Sequence, residues 1–259
     1  MSSKSAKQRL DTLMVERGLA ESRSRAQALI LAGRILIGER RAEKPASLID
    51  RDAEIRIKGQ LHPYVSRGGV KLQRALEQFQ ISVEGKVCAD IGASTGGFTD
   101  CLLRRGAAKV YAIDVGYGQL HHALRTDPRV VVRERVNARF LTEAELPEPV
   151  DVVTFDVSFI SLRQVIPPAL RRLKRGGIAV ALVKPQFEVG REKVGKGGVV
   201  KDPLVRAEAI EGIAKFVAEQ GLTVLGSIDS PIEGPAGNLE ALLAAALPAS
   251  RGSESPPAD

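Results

Sequence analysis

The chain has 259 residues, of which 44% are hydrophobic and 4% aromatic, and carries a formal net charge of +7 at pH 7. Such a length and apolar content give one large domain, or a large one with a small companion, around a real core, and exclude a fibrous or wholly disordered chain. The positive balance favours a polyanionic partner, and it is uneven: residues 1–60 hold 13 lysines and arginines against 8 acids.

The two cysteines, Cys88 and Cys101, have neither metal-ligand spacing nor the density of a disulfide framework, so no metal is expected and both read as small core residues of a reducing compartment. The stretch "MSSKSAKQRL" has no apolar run of a secretory leader, and "ALILAGRILIG" is short and broken by Arg34. A cytoplasmic protein with no membrane partner is the expectation.

In chain order, "QRLDTLMVERGLAES" places Leu10, Leu13 and Met14 on one helical face, with Gly18 as a stop. "SRSRAQALILAG" starts from Ser22 or Ser24 as N-cap and ends at Gly33, and "RILIG" and "AEIRIKG" alternate as strands. This unit puts Arg9, Arg23 and Arg25 on helical surfaces off the apolar stripe. "QLHPYVSRGG" has the composition of a linker leading to an N-cap at Ser66, and "VKLQRALEQF" is an amphipathic helix that leaves Lys71 off its apolar face. The expected organisation is a first domain over 1–60, a linker over 61–67, a second domain over 68–247 and a low-complexity tail over 248–259.

From residue 86, strand-like and helix-like segments alternate: "KVCADIG", "FTDCLLRRG", "KVYAIDVG", "RVVVRERVN", "VDVVTFDVS", "LRQVIPPALRRLKRGG", "IAVALVKP", a helix near "PLVRAEAIEGIAKFVAEQG" and "LTVLGSI". This is an α/β pattern with a parallel sheet covered by helices, in which 150–157 and 178–183 are central strands. The glycine- and charge-rich "FEVGREKVGKGGVVKD" reads as a mobile loop.

Ligands of such sheets bind beyond the carboxyl ends of the strands. There the first strand offers Asp90 and Gly92, the second Asp114, the third Asn137, the fourth Asp156 and the fifth Lys184. "GASTGGFT" after the first strand has the glycine spacing of a phosphate-binding loop, but Phe98 stands where the phosphate-binding lysine belongs. A turn that keeps its glycines without that cation suits a ligand with a carboxylate, and an acid such as Asp114, 22 positions after Gly92, suits a ribose. S-adenosylmethionine meets both requirements.

The segments "SRGGVKL", "ADIGASTGGFTD", "AIDVGYGQL", "TFDVSFISL", "VKPQFEVG" and "GPAGNLE" resemble, in this order, those of the TlyA-type ribosomal RNA 2′-O-methyltransferases, also called the haemolysin A family. The second domain is similar to the FtsJ class, which implies a Rossmann-like S-adenosylmethionine-dependent methyltransferase sheet. The first is similar to the small α+β S-four-type RNA-binding domain. By this resemblance Lys71, Asp156, Lys184 and Glu240 form a catalytic Lys-Asp-Lys-Glu tetrad. Asp90, Gly92, Ser94, Gly96, Gly97, Phe98, Asp114, Asn137 and Asp156 are implied as cofactor contacts. Phe98 replaces a tryptophan frequent in the class, and Ala236 a basic residue. Arg9, Arg23, Arg25 and Arg67 are the implied RNA contacts.

The resemblance implies methyl transfer to a cytidine ribose in ribosomal RNA, free or within a subunit. Lys184 is the expected base, a role that requires the neutral amine, with Asp156 and Glu240 expected to orient and restrain Lys71. The alternatives are a non-catalytic RNA-binding or ribosome-assembly factor and a membrane-active haemolysin. A nucleotide-dependent dehydrogenase is disfavoured by the missing G-x-G-x-x-G.

Overall fold

The computed structural model describes residues 7–20, 22–38, 40–57, 62–234 and 237–249. The chain divides into two compact units, Met1–Pro63 and Tyr64–Asp259. Ala236, Leu61 and the tail from residue 250 lie outside the described residues.

In the first unit, helices α1 (Leu10–Glu16) and α2 (Arg23–Leu31) pack on strands β1 (Lys7–Arg9), β2 (Ile35–Ile37), β3 (Arg40–Arg41), β4 (Leu48–Asp50) and β5 (Ile55–Ile57). Strand β1 pairs antiparallel with β4, and β2 lies between β3 and β5. Leu10, Met14, Ala26, Ile30, Ile35 and Ala42 form the core; of the helical face read from the sequence Leu10 and Met14 enter it, and Leu13 is buried outside this cluster. Ser22 caps α2 by accepting from the Arg25 amide at 3.2 Å, and Gly33 follows with φ +66°, the conformation in which helices commonly end. Arg9 ends β1 and precedes α1 instead of lying on a helix.

The second unit begins with Tyr64, expected in the linker but buried in this unit's core. The Val65 amide donates to Asp100 at 2.8 Å. Helix α3 (Gly68–Gln78) starts without the Ser66 cap read from the sequence; Arg67, in helical conformation, stands at its N-cap. Strands β6 (Val87–Ile91), β7 (Lys109–Ile113), β8 (Val130–Arg133), β9 (Val150–Phe155), β10 (Leu173–Val183), β11 (Thr223–Asp229) and β12 (Ala241–Ala246) form one sheet in the order β11-β12-β10-β9-β6-β7-β8. The five strands from β10 to β8 are parallel, with β9 and β6 central. Strand β12 runs antiparallel to both β10 and β11, so the sheet is mixed where an all-parallel one was expected.

Alternate residues along these strands enter opposite cores. Cys88, Val152, Val180 and Leu242 meet Leu72 and Leu76 of α3 and Leu102 of α4 (Gly97–Arg104). Ala89, Val153, Ala181 and Leu243 meet Val165 and Ile166 of α6 (Leu162–Leu170) and Ile213 of α8 (Pro203–Glu219). A short α5 (His122–Arg125) precedes β8, and α7 (Pro185–Glu188) follows β10. Helix α6 stops at Leu170, short of the expected helical run, and residues 173–177 join β10 ahead of a register shift. The glycine-rich segment after β10 holds α7, a 3-10 turn at Arg191–Lys193 and a bridge between Gly195 and Val199.

Candidate functional site

Because β6, β7, β8, β9 and β10 are parallel, their carboxyl ends share one edge of the sheet, and each is followed there by a polar group or a glycine. Gly92 follows β6 with φ +88°. A Cβ at this position would come 2.5 Å from the Asp156 carbonyl oxygen, so the close approach of this turn to the end of β9 requires glycine. At Gly97 a Cβ would fall 2.2 Å from Ser66 Oγ, which lets the start of α4 meet the segment leading into α3. Ser94 has φ +48° and its amide donates to Asp114 Oδ2 at 2.8 Å, while the Gly116 amide donates to Oδ1 at 2.6 Å. Asp114 is thereby fixed against the glycine turn.

Two adjoining cavities open on this edge. One, of about 570 Å³, is lined by Lys71, Asp156, Lys184 and Glu240 together with Arg67, Phe98 and Gly97. The other, of about 560 Å³, is lined by Asp114 and Asn137. Gly92, Ser94, Asp156, Ser158 and Phe159 border both. Both volumes fall within the range of small-molecule sites.

All four tetrad residues therefore face one cavity, but their pairing differs from the expectation. Lys71 is buried and bonds the buried Glu240 across 169 residues of sequence. Asp156 does not restrain Lys71; its Oδ1 lies 2.7 Å from Lys184 Nζ. Lys184 also donates to Ser158 Oγ at 2.8 Å. Lys71 lies off the apolar stripe of α3 and is still buried, paired with the buried Glu240 that directly precedes β12. Two lysines and two carboxylates make a neutral set arranged as two ion pairs.

Asp90 stands apart from both cavities. It is fully buried in β6, where Thr99 Oγ1 donates to it at 2.7 Å and Thr154 Oγ1 at 3.2 Å. Burial pushes its carboxyl up to about 7, and the nearby Asp156 charge adds to this against the two threonine hydrogen bonds. Asp90 thus supports the floor of the turn. Gly96 also lines neither cavity; a Cβ there would strike Leu124 at 2.2 Å, so it serves packing. Asn137 caps the 3-10 turn Ala138–Phe140 by accepting from the Arg139 amide at 3.1 Å. Phe98 is buried, with its ring part of the cavity wall.

Sequence reasoning missed Ser158 and Phe159. Phe159 is exposed, has φ +64°, and its ring lies 5.2 Å from that of Phe187 between centroids. The sequence "DVSFISL" gives no periodic signal for either, and only their place directly after an expected strand-end acid could have flagged them.

In the first unit, a fully buried Asp11 accepts from Arg9 at 2.9 and 3.0 Å, from Arg23 Nε at 3.0 Å and from Gln27 at 2.8 Å. The Arg9 hydrogen bond, more than the others, holds the Asp11 carboxyl well below the usual carboxylate range despite its burial. Both arginines keep about half of their side-chain surface exposed, 41% and 55%. Arg25, two residues further along α2, is exposed as well. These are outward basic groups, two of them fixed from beneath.

Among the described residues no three His, Cys, Asp or Glu side chains converge as a metal site, and no helix is long and apolar enough to cross a membrane. The sequence profile of the FtsJ-like methyltransferases matches residues 64–247, and that of the S4 domain matches residues 8–55. The chain is 50% identical over 236 residues to the 16S/23S rRNA (cytidine-2′-O)-methyltransferase TlyA of Mycobacterium tuberculosis, covering 91% of this chain and 88% of the relative. It is 42% identical over 235 residues to Hemolysin A of Brachyspira hyodysenteriae, covering 90% of this chain and 98% of the relative. A solved protein of Streptococcus thermophilus, provisionally named a hemolysin, superposes with a TM-score of 0.74 at 41% identity, covering 98% of this chain and 93% of that one.

Proposed function

We infer the function from one premise: the chain belongs to the TlyA family of FtsJ-like methyltransferases that carry an S4 domain. On it we propose that the protein is an S-adenosylmethionine-dependent RNA 2′-O-methyltransferase acting on a cytidine ribose of ribosomal RNA, as the name of its Mycobacterium tuberculosis relative states for that protein. The observation that carries this reading is the convergence of Lys71, Asp156, Lys184 and Glu240 on one cavity that shares a wall with the cavity of Asp114.

The residues present fit the cofactor. The turn Gly92–Gly97 has no room for a Cβ at its two ends and leads into the amino terminus of α4, which suits a carboxylate. Asp114, fixed by two amides, suits ribose hydroxyls, and Asn137 borders the same cavity. When bound, S-adenosylmethionine supplies a methyl group on a sulfonium.

The chain's own task is to align the acceptor ribose and to steer the proton that leaves its 2′-oxygen. Holding two reactants in line is worth up to about 7–11 kcal/mol of barrier. Lys184, held by Asp156 and Ser158, which border both cavities, is our candidate to bond that oxygen and, once its own ammonium proton has been given up to solvent, to accept the oxygen's proton. Glu240 fixes Lys71 behind it. Arg9, Arg23, Arg25 and Arg67 serve as contacts to RNA phosphates, which position RNA without reading its sequence.

Equilibrium binding separates this reading from its rivals. The protein should bind S-adenosylmethionine and not nicotinamide dinucleotides, and incubation with a methyl-labelled cofactor should label ribosomal RNA. Release of dye from liposomes without any RNA labelling would favour the membrane-active alternative.

A further inference from the structure

Glu188 takes no part in the chemistry proposed above, yet it joins the two loops on which that chemistry depends. Asp156, Ser158 and Phe159 follow β9; Lys184 follows β10 and stands at the start of the turn that carries Phe187 and Glu188. On the cavity side the loops meet through Lys184, which bonds Asp156 and Ser158. These two bonds leave one position of the Lys184 amine for an acceptor hydroxyl, and where that position points depends on both loops keeping their register. A second connection lies behind them. Glu188 Oε2 accepts from Ser161 Oγ at 2.6 Å, and Oε1 accepts from the Leu162 amide, the first of α6, at 2.9 Å.

Between these connections sits Phe159, with φ +64°, a backbone conformation that a phenylalanine keeps only where its surroundings hold it. The turn is held from upstream by Ser158 and from downstream by Ser161 and Leu162, with the Phe159 and Phe187 rings in contact between. We propose that Glu188 is a positioning residue: it braces the Lys184 turn against the Asp156–Ser161 turn, so that the remaining position of the Lys184 amine stays aimed at the acceptor hydroxyl. The proposal rests on the reading of Lys184 as the residue that steers the acceptor proton.

Burial pushes the Glu188 carboxyl up; a carboxamide in its place keeps an oxygen for the Leu162 amide and an NH2 that can donate to Ser161 Oγ. The test compares the wild type, Glu188→Ala and Glu188→Gln. It measures kcat and KM for methyl transfer to unmethylated ribosomal RNA, affinity for S-adenosylmethionine, and amide hydrogen exchange across residues 156–163. Glu188→Ala should lower kcat roughly 10- to 100-fold, the scale of a small misplacement of reacting groups, while KM and cofactor affinity stay within about twofold. Exchange at Leu162 should rise. Glu188→Gln, which keeps an acceptor for that amide, should remain within about threefold of wild type in kcat. A wild-type kcat in Glu188→Ala, or a Glu188→Gln protein as impaired as the alanine variant, would overturn the proposal.

Should Glu188→Ala fail to fold, Ser161→Ala removes one of the two bonds to Glu188 together with the cap that Ser161 Oγ gives the Arg163 amide, and should lower kcat in the same direction; no loss overturns the brace. Failure of the functional reading itself is distinguishable, because the wild type would then bind cofactor without labelling RNA. In that event hydrogen exchange decides: unchanged protection of residues 158–162 in Glu188→Ala overturns the brace by itself.

Discussion

Lys184 Nζ lies 2.7 Å from Asp156 Oδ1 and 2.8 Å from Ser158 Oγ, joining the ends of the neighbouring strands β10 and β9 at the wall between the two cavities. No other described lysine borders both Asp156 and Ser158 in this way. Lys184→Ala should therefore lower single-turnover methyl transfer by at least about 100-fold, the usual worth of a positioned proton-transfer group. Cofactor affinity, measured by calorimetry, should stay within about twofold, since Lys184 does not line the cavity of Asp114 and Asn137.

The Lys71–Glu240 pair is buried on both sides. Glu240→Ala leaves a buried ammonium without its partner and should cost about 3–5 kcal/mol of stability in urea denaturation. Replacing both members by apolar residues, as in Lys71→Met with Glu240→Leu, should restore much of that stability without restoring activity. Equal destabilisation by the single and double variants would contradict the pairing.

Much of this site is legible in the sequence because a parallel sheet places the ends of its strands together. Gly92, Asp114, Asp156 and Lys184 each directly follow a strand, Asn137 comes four residues after β8 instead of ending it, and the topology carries all five to one edge. The partners within the tetrad are not legible. Glu240 reaches Lys71 only because the alanine-rich segment 241–246 becomes a strand between β10 and β11. Alanine favours helix over strand, and tertiary pairing overrides that preference here. Asp90 and Asp156 look alike as acids at strand ends. Asp90 lies one residue inside β6 and is enclosed by Thr99 and Thr154, whereas Asp156 lies one residue beyond β9 and meets the cavities. A difference of two residues in position relative to the strand end separates a buried support from a half-buried residue of the cavity wall, and periodicity does not fix that position.

Asp90 should make stability depend on pH. Its carboxyl is pushed up to about 7 in the folded chain, above the roughly 3.9 of an unfolded aspartate. Between those values the folded form holds a proton that the unfolded form has lost, so this group's contribution is full below about pH 4 and is lost as pH rises towards 7. Asp90→Asn, which mimics the protonated acid, should remove that loss. Urea midpoints of the two proteins should diverge with rising pH, the asparagine variant gaining relative to wild type. A constant difference from pH 4 to 8 would contradict this.

Gly92→Ala should damage both fold and cofactor site. The added Cβ meets the Asp156 carbonyl oxygen at 2.5 Å, and the backbone is held at φ +88°. The conformational cost alone is about 1–2 kcal/mol. Since the displaced carbonyl belongs to a tetrad residue, affinity for S-adenosylmethionine should fall by roughly tenfold or more, which is about 1.4 kcal/mol in binding. Thermal unfolding and calorimetry on the same sample check both effects.

Arg23 offers its guanidinium outward while Asp11 holds Nε from beneath. If it meets an RNA phosphate, Arg23→Ala should weaken RNA binding and reduce the slope of log affinity against log salt by about 1. Cofactor affinity should not change. An unaltered salt slope would remove Arg23 from the phosphate contacts.

The most direct measurement is transfer of a labelled methyl from S-adenosylmethionine to unmethylated ribosomal subunits, with Lys184→Ala alongside and nucleoside digestion to locate the label. The account predicts label on a cytidine ribose 2′-oxygen with the wild type and none above background with the variant. Label on a base, or equal ribose labelling by both proteins, would contradict it.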